Sequence, residues 1–266
     1  MERECEVLEA AVRKAGKEVV RISKEGYETS RKADDDILTT ADLAANRILL
    51  DAVRDAFPDD GFLSEESVDN GTRLTRKRVW IIDPIDGTKE FVRGLPEYTI
   101  SVALVVDGVP ELGVVYNPMT DEYFLAQRGF GSYLDGKRTH VRQLHGRQPL
   151  VLCSRTEWQR GYLARYDGIV QVRPMGSIAY KLALVSAGLA DATFSMGRKH
   201  DWDIAAGILL VQEAGGTVTD KHGHEIRFHR ETTLVDGIVA ATEDSVVPLR
   251  EFLSVLERQG LHDPHL

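Results

Sequence analysis

The sequence predicts a layered α/β fold in two lobes that share a seam. Three observations predict it. Two segments with apolar residues at helical spacing open the chain, a set of short strands joined by Asp-Gly turns follows, and beyond about residue 146 strands alternate with helices. The lobes are expected over 1–145 and 146–266 of the 266 residues, and a seam between lobes is where ligands tend to bind.

Each element has a local cause. Leu8, Ala11, Val12, Ala15, Val19 and Ile22 fall on one helical face, and Gly26 closes that segment. A second helix is expected over 41–57, with Ile48, Leu49, Ala52, Val53 and Ala56 inward, Thr39 as N-cap and Pro58 as the stop. Val79-Trp80-Ile81-Ile82 is β-branched and aromatic and reads as a buried strand that ends at Asp83-Pro84. Strands over 98–106, 109–116, 122–126 and 131–134, joined by turns such as Asp107-Gly108 and Asp135-Gly136, form an antiparallel meander. The alternating part has strands at 150–153, 169–173 and 192–194, helices after Thr156 and over 177–187 and 204–214, and later strands near Thr217 and Ile238.

Composition excludes several classes. With 42% apolar and 28% charged residues the chain can bury a sizeable core, which argues against disorder and against a small disulfide scaffold. Cys5 and Cys153 lie far apart without ligand spacing, so no structural zinc is expected. A net charge of −9 repels nucleic-acid backbone and anionic membrane, so neither polymeric nucleic acid nor membrane is expected as a partner. The acidic N-terminus has no apolar signal region and no run reaches membrane-spanning length; a cytoplasmic location is expected.

The chemistry is densest at Asp83-Pro84-Ile85-Asp86-Gly87-Thr88. Two carboxylates three residues apart, around a proline that fixes the turn, can converge on one cation while the Ile85 carbonyl also faces it. Gly87 lets the backbone approach closely. Its N–H and that of Thr88 could cradle a phosphate if a helix begins there, because the first amides of a helix lack internal partners. Asp-Pro and Asp-Gly are also ordinary turn dipeptides. Turn formation alone, however, does not demand two acids, a proline, a glycine and a hydroxyl in that order after a buried strand.

Trp80-Ile81-Ile82-Asp83-Pro84-Ile85-Asp86-Gly87-Thr88 resembles the signature of the inositol monophosphatase superfamily of lithium-sensitive phosphatases. Leu63-Ser64-Glu65-Glu66-Ser67 is similar to its upstream acidic motif. Trp202-Asp203-Ile204-Ala205-Ala206-Gly207, followed by Glu213-Ala214-Gly215-Gly216, is similar to its downstream one. The resemblance implies an αβαβα sandwich in which Glu65, Asp83, the Ile85 carbonyl, Asp86 and Asp203 surround two or three magnesium ions. It implies that Asp86, Gly87, Thr88 and Asp203 meet the substrate phosphate, that Asp42 hydrogen-bonds the signature threonine, and that the chain forms a homodimer. On the residues alone, Thr39-x-x-Asp42 is also a capping-box pattern, Asp203 an acid of a first helical turn, and Glu65-Glu66 a solvated loop. His222 and His224 flank Gly223 and read as a polar turn rather than a zinc site.

A phosphate monoester needs its phosphoryl oxygens neutralised, a water activated and a leaving alkoxide stabilised. The expected reaction is magnesium-dependent hydrolysis, with Glu65 and the Thr88 hydroxyl, oriented by Asp42, positioning and deprotonating the attacking water. Lys89-Glu90-Phe91 resembles the CysQ-type branch, the 3′(2′),5′-bisphosphate nucleotidases, where inositol phosphatases commonly have Thr-Asn-Phe. Ser154-Arg155 is similar to the same branch, Gly176-Ser177 falls where family members line the pocket, and Ser195 replaces the glutamate of inositol-type members. Lys89, Ser154, Arg155, Gly176 and Ser177 are thus expected to line the substrate, with Lys181 as a further phosphate contact. Adenosine 3′,5′-bisphosphate is the expected substrate, inositol-1-phosphate or another sugar phosphate the second. A non-catalytic phosphate-binding module is the alternative of another class.

Overall fold

The computed structural model describes residues 1–32, 36–143, 148–161, 163 and 168–242. Helix α1 (Glu2–Glu25) leads through a short hairpin, β1 (Thr29–Arg31) and β2 (Ile37–Thr39), into α2 (Thr40–Ala56). Next come β3 (Gly61–Ser64), β4 (Arg78–Asp86), α3 (Thr88–Val92), β5 (Thr99–Val106), β6 (Val109–Asn117), β7 (Glu122–Gln127), β8 (Gly131–Leu134) and β9 (Lys137–Thr139). The second half holds β10 (Leu150–Cys153), α4 (Arg155–Gln159), β11 (Gln171–Pro174), α5 (Ile178–Ser186), β12 (Ala192–Ser195) and β13 (Lys199–His200). It closes with α6 (Asp201–Glu213), β14 (Thr217–Thr219), β15 (Leu234–Val235) and β16 (Ile238–Ala241).

These elements stack as an αβαβα sandwich. The inward faces of α1 and α2 pack on one side of a seven-stranded sheet, β3-β4-β5-β6-β7-β8-β9, around Trp80, Ile82, Val102 and Val114. Its other side packs on α5 and α6, which in turn cover a five-stranded sheet of order β11-β10-β12-β16-β14. The far face of that sheet buries Val151, Phe194 and Val239 with Leu163 from the connection after α4. Alternation along β4 and β5 sends successive side chains into the two cores, which is why a strand buried on both faces reads as an unbroken apolar run. Among the described residues no helix is long and apolar enough to cross a membrane.

Two features place the site. Strand β4 does not stop at Asp83, as the proline suggested, but runs to Asp86 with a register shift against β5 between Asp83 and Asp86. The neighbouring β3 pairs with β4 only as far as Ile82, so Pro84 owes no ladder hydrogen bond on that side, and the Ile85 N–H turns to Asp83 Oδ1 at 3.0 Å. Helix α6 lies very close to the sheet. A Cβ on Gly113 of β6 would stand 3.0 Å from the Ala206 backbone, and one on Gly207 would stand 2.6 Å from Leu182 of α5. The Ala205-Ala206-Gly207 run is therefore what lets α6 wedge between sheet and α5 and carry Asp203 inward.

The expected boundary between residues 145 and 146 lies outside the described residues. The strand expected at 169–173 is Gln171–Pro174, and the helix expected after Thr156 begins at Arg155 because Ser154 caps it. The hairpin β1–β2, strand β3, and the pair β13–β15 were not anticipated; each has four residues or fewer and too little alternation to read.

Candidate active site

The end of β4, α3, and the first turns of α4, α5 and α6 converge on a cavity of ≈ 410 Å³ whose lining includes Glu65, Asp83, Asp86 and Asp203. At its floor Gly87 has φ 100°, and a Cβ there would stand 2.8 Å from the Glu97 carbonyl, so only glycine fits this corner. The Gly87 carbonyl accepts from Glu90 and Phe91, and α3 starts at Thr88, so a helix does begin at this corner. The Thr88 hydroxyl stands 3.1 Å from Asp42 Oδ1 and 3.0 Å from the Ile85 carbonyl, two acceptors for one proton. Asp42 is 1% exposed, and its other oxygen accepts from the Thr39 N–H at 2.8 Å and the Thr39 hydroxyl at 2.5 Å. One carboxylate thus caps α2 and orients Thr88 together.

The electrostatics are those of a crowded acid set. Burial drives the Asp83 carboxyl well above the ordinary carboxylate range, and Glu65, Asp86 and Asp203 push it further in the same direction. Asp203 is raised first by burial and next by Asp86, and Asp86 is raised by burial against the Ser177 hydroxyl at 2.7 Å and the Ala179 N–H at 2.6 Å. Asp42 is raised by burial too, with Thr39 and Thr88 opposing. Three buried carboxylates, Asp83, Asp86 and Asp203, all held above the ordinary range at one volume, favour a compensating positive charge, and oxygen-only donors suit a hard divalent ion such as magnesium. Charge and donor type fit the ion.

The side chains do not form a closed cage. Among the described residues no three His, Cys, Asp or Glu side chains are drawn together tightly enough to hold a metal as they stand. Each acid is held by a protein donor instead: Glu65 by Lys32 at 2.6 Å, Asp83 by the Ile85 N–H, Asp86 by Ser177 and Ala179, Asp203 by the His200 N–H at 2.9 Å. The backbone brings these four carboxylates to one cavity.

The opposite wall is held by its own ion pairs and caps. Arg155 is clamped by Glu90, at 2.9 Å, and by Glu97, so its guanidinium is spent on protein carboxylates. Gly176 donates its N–H to Glu97 at 3.0 Å, and a Cβ there would collide with the Glu90 carboxyl at 2.2 Å. Ser154 caps α4, its oxygen accepting from the Glu157 N–H at 3.0 Å. Ser177, at φ 53°, caps α5 and turns its hydroxyl to Asp86. Lys89, 61% exposed, pairs with Asp36 at 3.0 Å on the rim. All five line the cavity, as expected of them, and these bonds fix their positions in its wall. Lys181 lines it as well, 4% exposed, with a long contact of 3.4 Å to the Met175 carbonyl. Residue spacing gave no hint of Lys32 or Glu97, which reach their partners only through the tertiary fold. His222 and His224 pair with Asp236 and Asp220 in an exposed turn.

Fold and site together define a class: a five-layered α/β protein whose sheet end and inserted helix bring carboxylates to one cavity beside the Gly87–Thr88 turn. The chain belongs to the inositol monophosphatase family, whose model matches residues 1–254. It is 38% identical over 209 residues to the fructose-1,6-bisphosphatase/inositol-1-monophosphatase of Thermotoga maritima, covering 77% of this chain and 79% of that one. It is 36% identical over 225 residues to the Nus factor SuhB of Escherichia coli, covering 80% and 83%. Among solved structures, the Thermotoga maritima IMPase superposes with a TM-score of 0.87 at 30% identity over 97% of this chain and 99% of that one. The CysQ of Bacteroides thetaiotaomicron, a bacterial member of the same family, superposes with a TM-score of 0.75 at 26% identity over 90% and 97%.

Proposed function

We propose that this chain is a magnesium-dependent phosphomonoesterase acting on a small phosphorylated molecule held between lobes 1–145 and 146–266. One observation carries the reading: Thr88, whose hydroxyl donates to the buried Asp42, and the Gly87 corner line the same cavity as Glu65, Asp83, Asp86 and Asp203. Two or three magnesium ions would be held by Glu65, Asp83, the Ile85 carbonyl, Asp86 and Asp203. Bound there, magnesium supplies Lewis acidity toward the phosphoryl oxygens and eases ionisation of water.

The remaining work falls to the chain itself. With the Thr88 proton directed to Asp42, the Thr88 oxygen presents its lone pairs to a water and aligns it for in-line attack. Glu65 takes that water's proton. The amides of Gly87 and Thr88 hold a phosphoryl oxygen, and the wall of α6 excludes solvent behind Asp203. Ser177 acts as a positioning residue by fixing Asp86, and Arg155 with Glu90 and Glu97 fixes the turn that carries Gly176.

Among substrates, adenosine 3′,5′-bisphosphate is placed first. Beyond the acid ring the cavity lining includes Lys89, Arg93, Arg160, Lys181 and Lys199 beside the acids Asp36, Glu90 and Glu157, an excess of cations that suits a second phosphate, and Ser195 offers no carboxylate to sugar hydroxyls. The names of the relatives, fructose-1,6-bisphosphatase/inositol-1-monophosphatase among them, put inositol-1-phosphate and fructose 1,6-bisphosphate beside it. Relatives named Nus factor favour a second reading, a binding role separate from hydrolysis, and leave the exclusion of nucleic acid resting on net charge alone. Phosphate release from the three substrates, with and without magnesium, separates these readings. Fastest magnesium-dependent turnover of adenosine bisphosphate supports the first, and no turnover of any of the three supports the binding role.

A further inference from the structure

Lys32 has a placement that the proposed reaction does not use. It follows β1 directly, where its N–H donates to the Asp36 carbonyl at 2.8 Å. Its ammonium stands 2.6 Å from Glu65 Oε1 and 2.6 Å from Glu66 Oε1. The three side chains are largely withdrawn from water, at 19%, 20% and 4% exposure. A turn in which the Ser67 N–H reaches the Ser64 carbonyl at 3.2 Å brings the two neighbouring glutamates round to the one ammonium. On the same hairpin Asp36 pairs with Lys89 at 3.0 Å, so ion pairs of opposite sense, from Lys32 and from Asp36, fasten it beside the cavity.

We propose that Lys32 is the resident counter-cation of Glu65, so that a divalent ion gains the Glu65 carboxylate only by displacing this ammonium. The proposal rests on the reading of Glu65 as a metal ligand. A lysine ammonium is a compact point charge on a flexible stem, which a divalent ion of twice the charge can outcompete for the same oxygen. Glu66 makes the exchange feasible, because the displaced ammonium keeps one of its two carboxylates and no buried charge is stranded. Lys32 thereby sets how tightly the Glu65 metal position fills, and it loosens that position relative to the acids alone.

The test is calorimetric titration of the full chain with Mg²⁺ and with Mn²⁺, without substrate, in the wild type, Lys32→Met and Lys32→Arg. Lys32→Met should bind about fivefold tighter at one site, the scale of a partly shielded ion pair, with Lys32→Arg close to wild type. The melting-temperature gain on adding Mg²⁺ should be larger in Lys32→Met, whereas a purely structural role would lower melting equally with and without the ion. Should Lys32→Met fail to fold, Lys32→Gln, polar but uncharged, is read the same way. Unchanged or weaker metal binding in the uncharged variant, beside a wild type that binds metal and hydrolyses substrate, overturns the role of Lys32 alone. A wild type that binds neither ion overturns the metal reading with it.

Discussion

At the residue scale, the Asp42 carboxylate joins two functions that spacing presents as alternatives. Its Oδ2 caps α2 through Thr39, and its Oδ1 receives Thr88, so the capping-box pattern and the family's acidic position are one residue seen from two sides. The two roles separate by mutation. Thr88→Ala should lower kcat about 10²–10⁴-fold, the range for a lost proton-handling group, with the melting temperature nearly unchanged. Asp42→Ala should lower kcat similarly and also cost about 1 kcal/mol of stability through the lost cap, measured by urea unfolding. Asp86→Asn should abolish turnover while leaving the far-UV circular dichroism intact; near-normal activity in that variant would remove Asp86 from the reaction. The acids were legible because two of them flank a proline within one short string. Lys32, Glu97 and the clamped state of Arg155 were not, since each depends on partners at least 33 residues away in sequence.

At the element scale, what positions the site is the close seat of α6 and the bulged end of β4. The glycines at 113 and 207 let α6 approach both neighbours, and the bulge between Asp83 and Asp86 turns the two carboxylates toward a shared volume. Gly113→Ala should therefore destabilise the fold by about 1–3 kcal/mol through overpacking against the Ala206 backbone, and it should weaken magnesium binding by shifting Asp203. Calorimetry and thermal melting on one preparation check both effects; a stable variant with unaltered metal affinity would mean that α6 has slack. The long helices and the meander were legible from periodicity and from Asp-Gly turns. The parts missed, among them β3, β9 and the two small strand pairs, carry two to four residues per strand, too few for a readable alternation.

At the scale of the whole molecule, the buried acids shape how stability depends on pH. Burial first, with neighbouring carboxylates, raises Glu66 to about 7, and burial raises Asp201 to about 7. Groups raised in this way bind protons more tightly folded than unfolded, so between about 4 and 7 they make unfolding harder as pH falls. Glu4, lowered to about 2 by its N-terminal and Arg78 partners despite burial, acts in the opposite sense and loses its contribution as pH falls below the ordinary carboxylate range. The metal-free chain should accordingly be most stable near about pH 5, and saturating magnesium should move that optimum toward neutrality by replacing protons on the acid ring. Urea midpoints at pH 4 to 8, with and without the ion, check this; an optimum at pH 7 in both would contradict it. The central claim, that Glu65, Asp83, Asp86 and Asp203 jointly receive a divalent cation beside the Gly87–Thr88 turn, is tested most directly by anomalous diffraction from crystals soaked in Mn²⁺. The account predicts manganese peaks within coordinating distance of those four carboxylates. Manganese found only elsewhere on the molecule, or not at all, would contradict it.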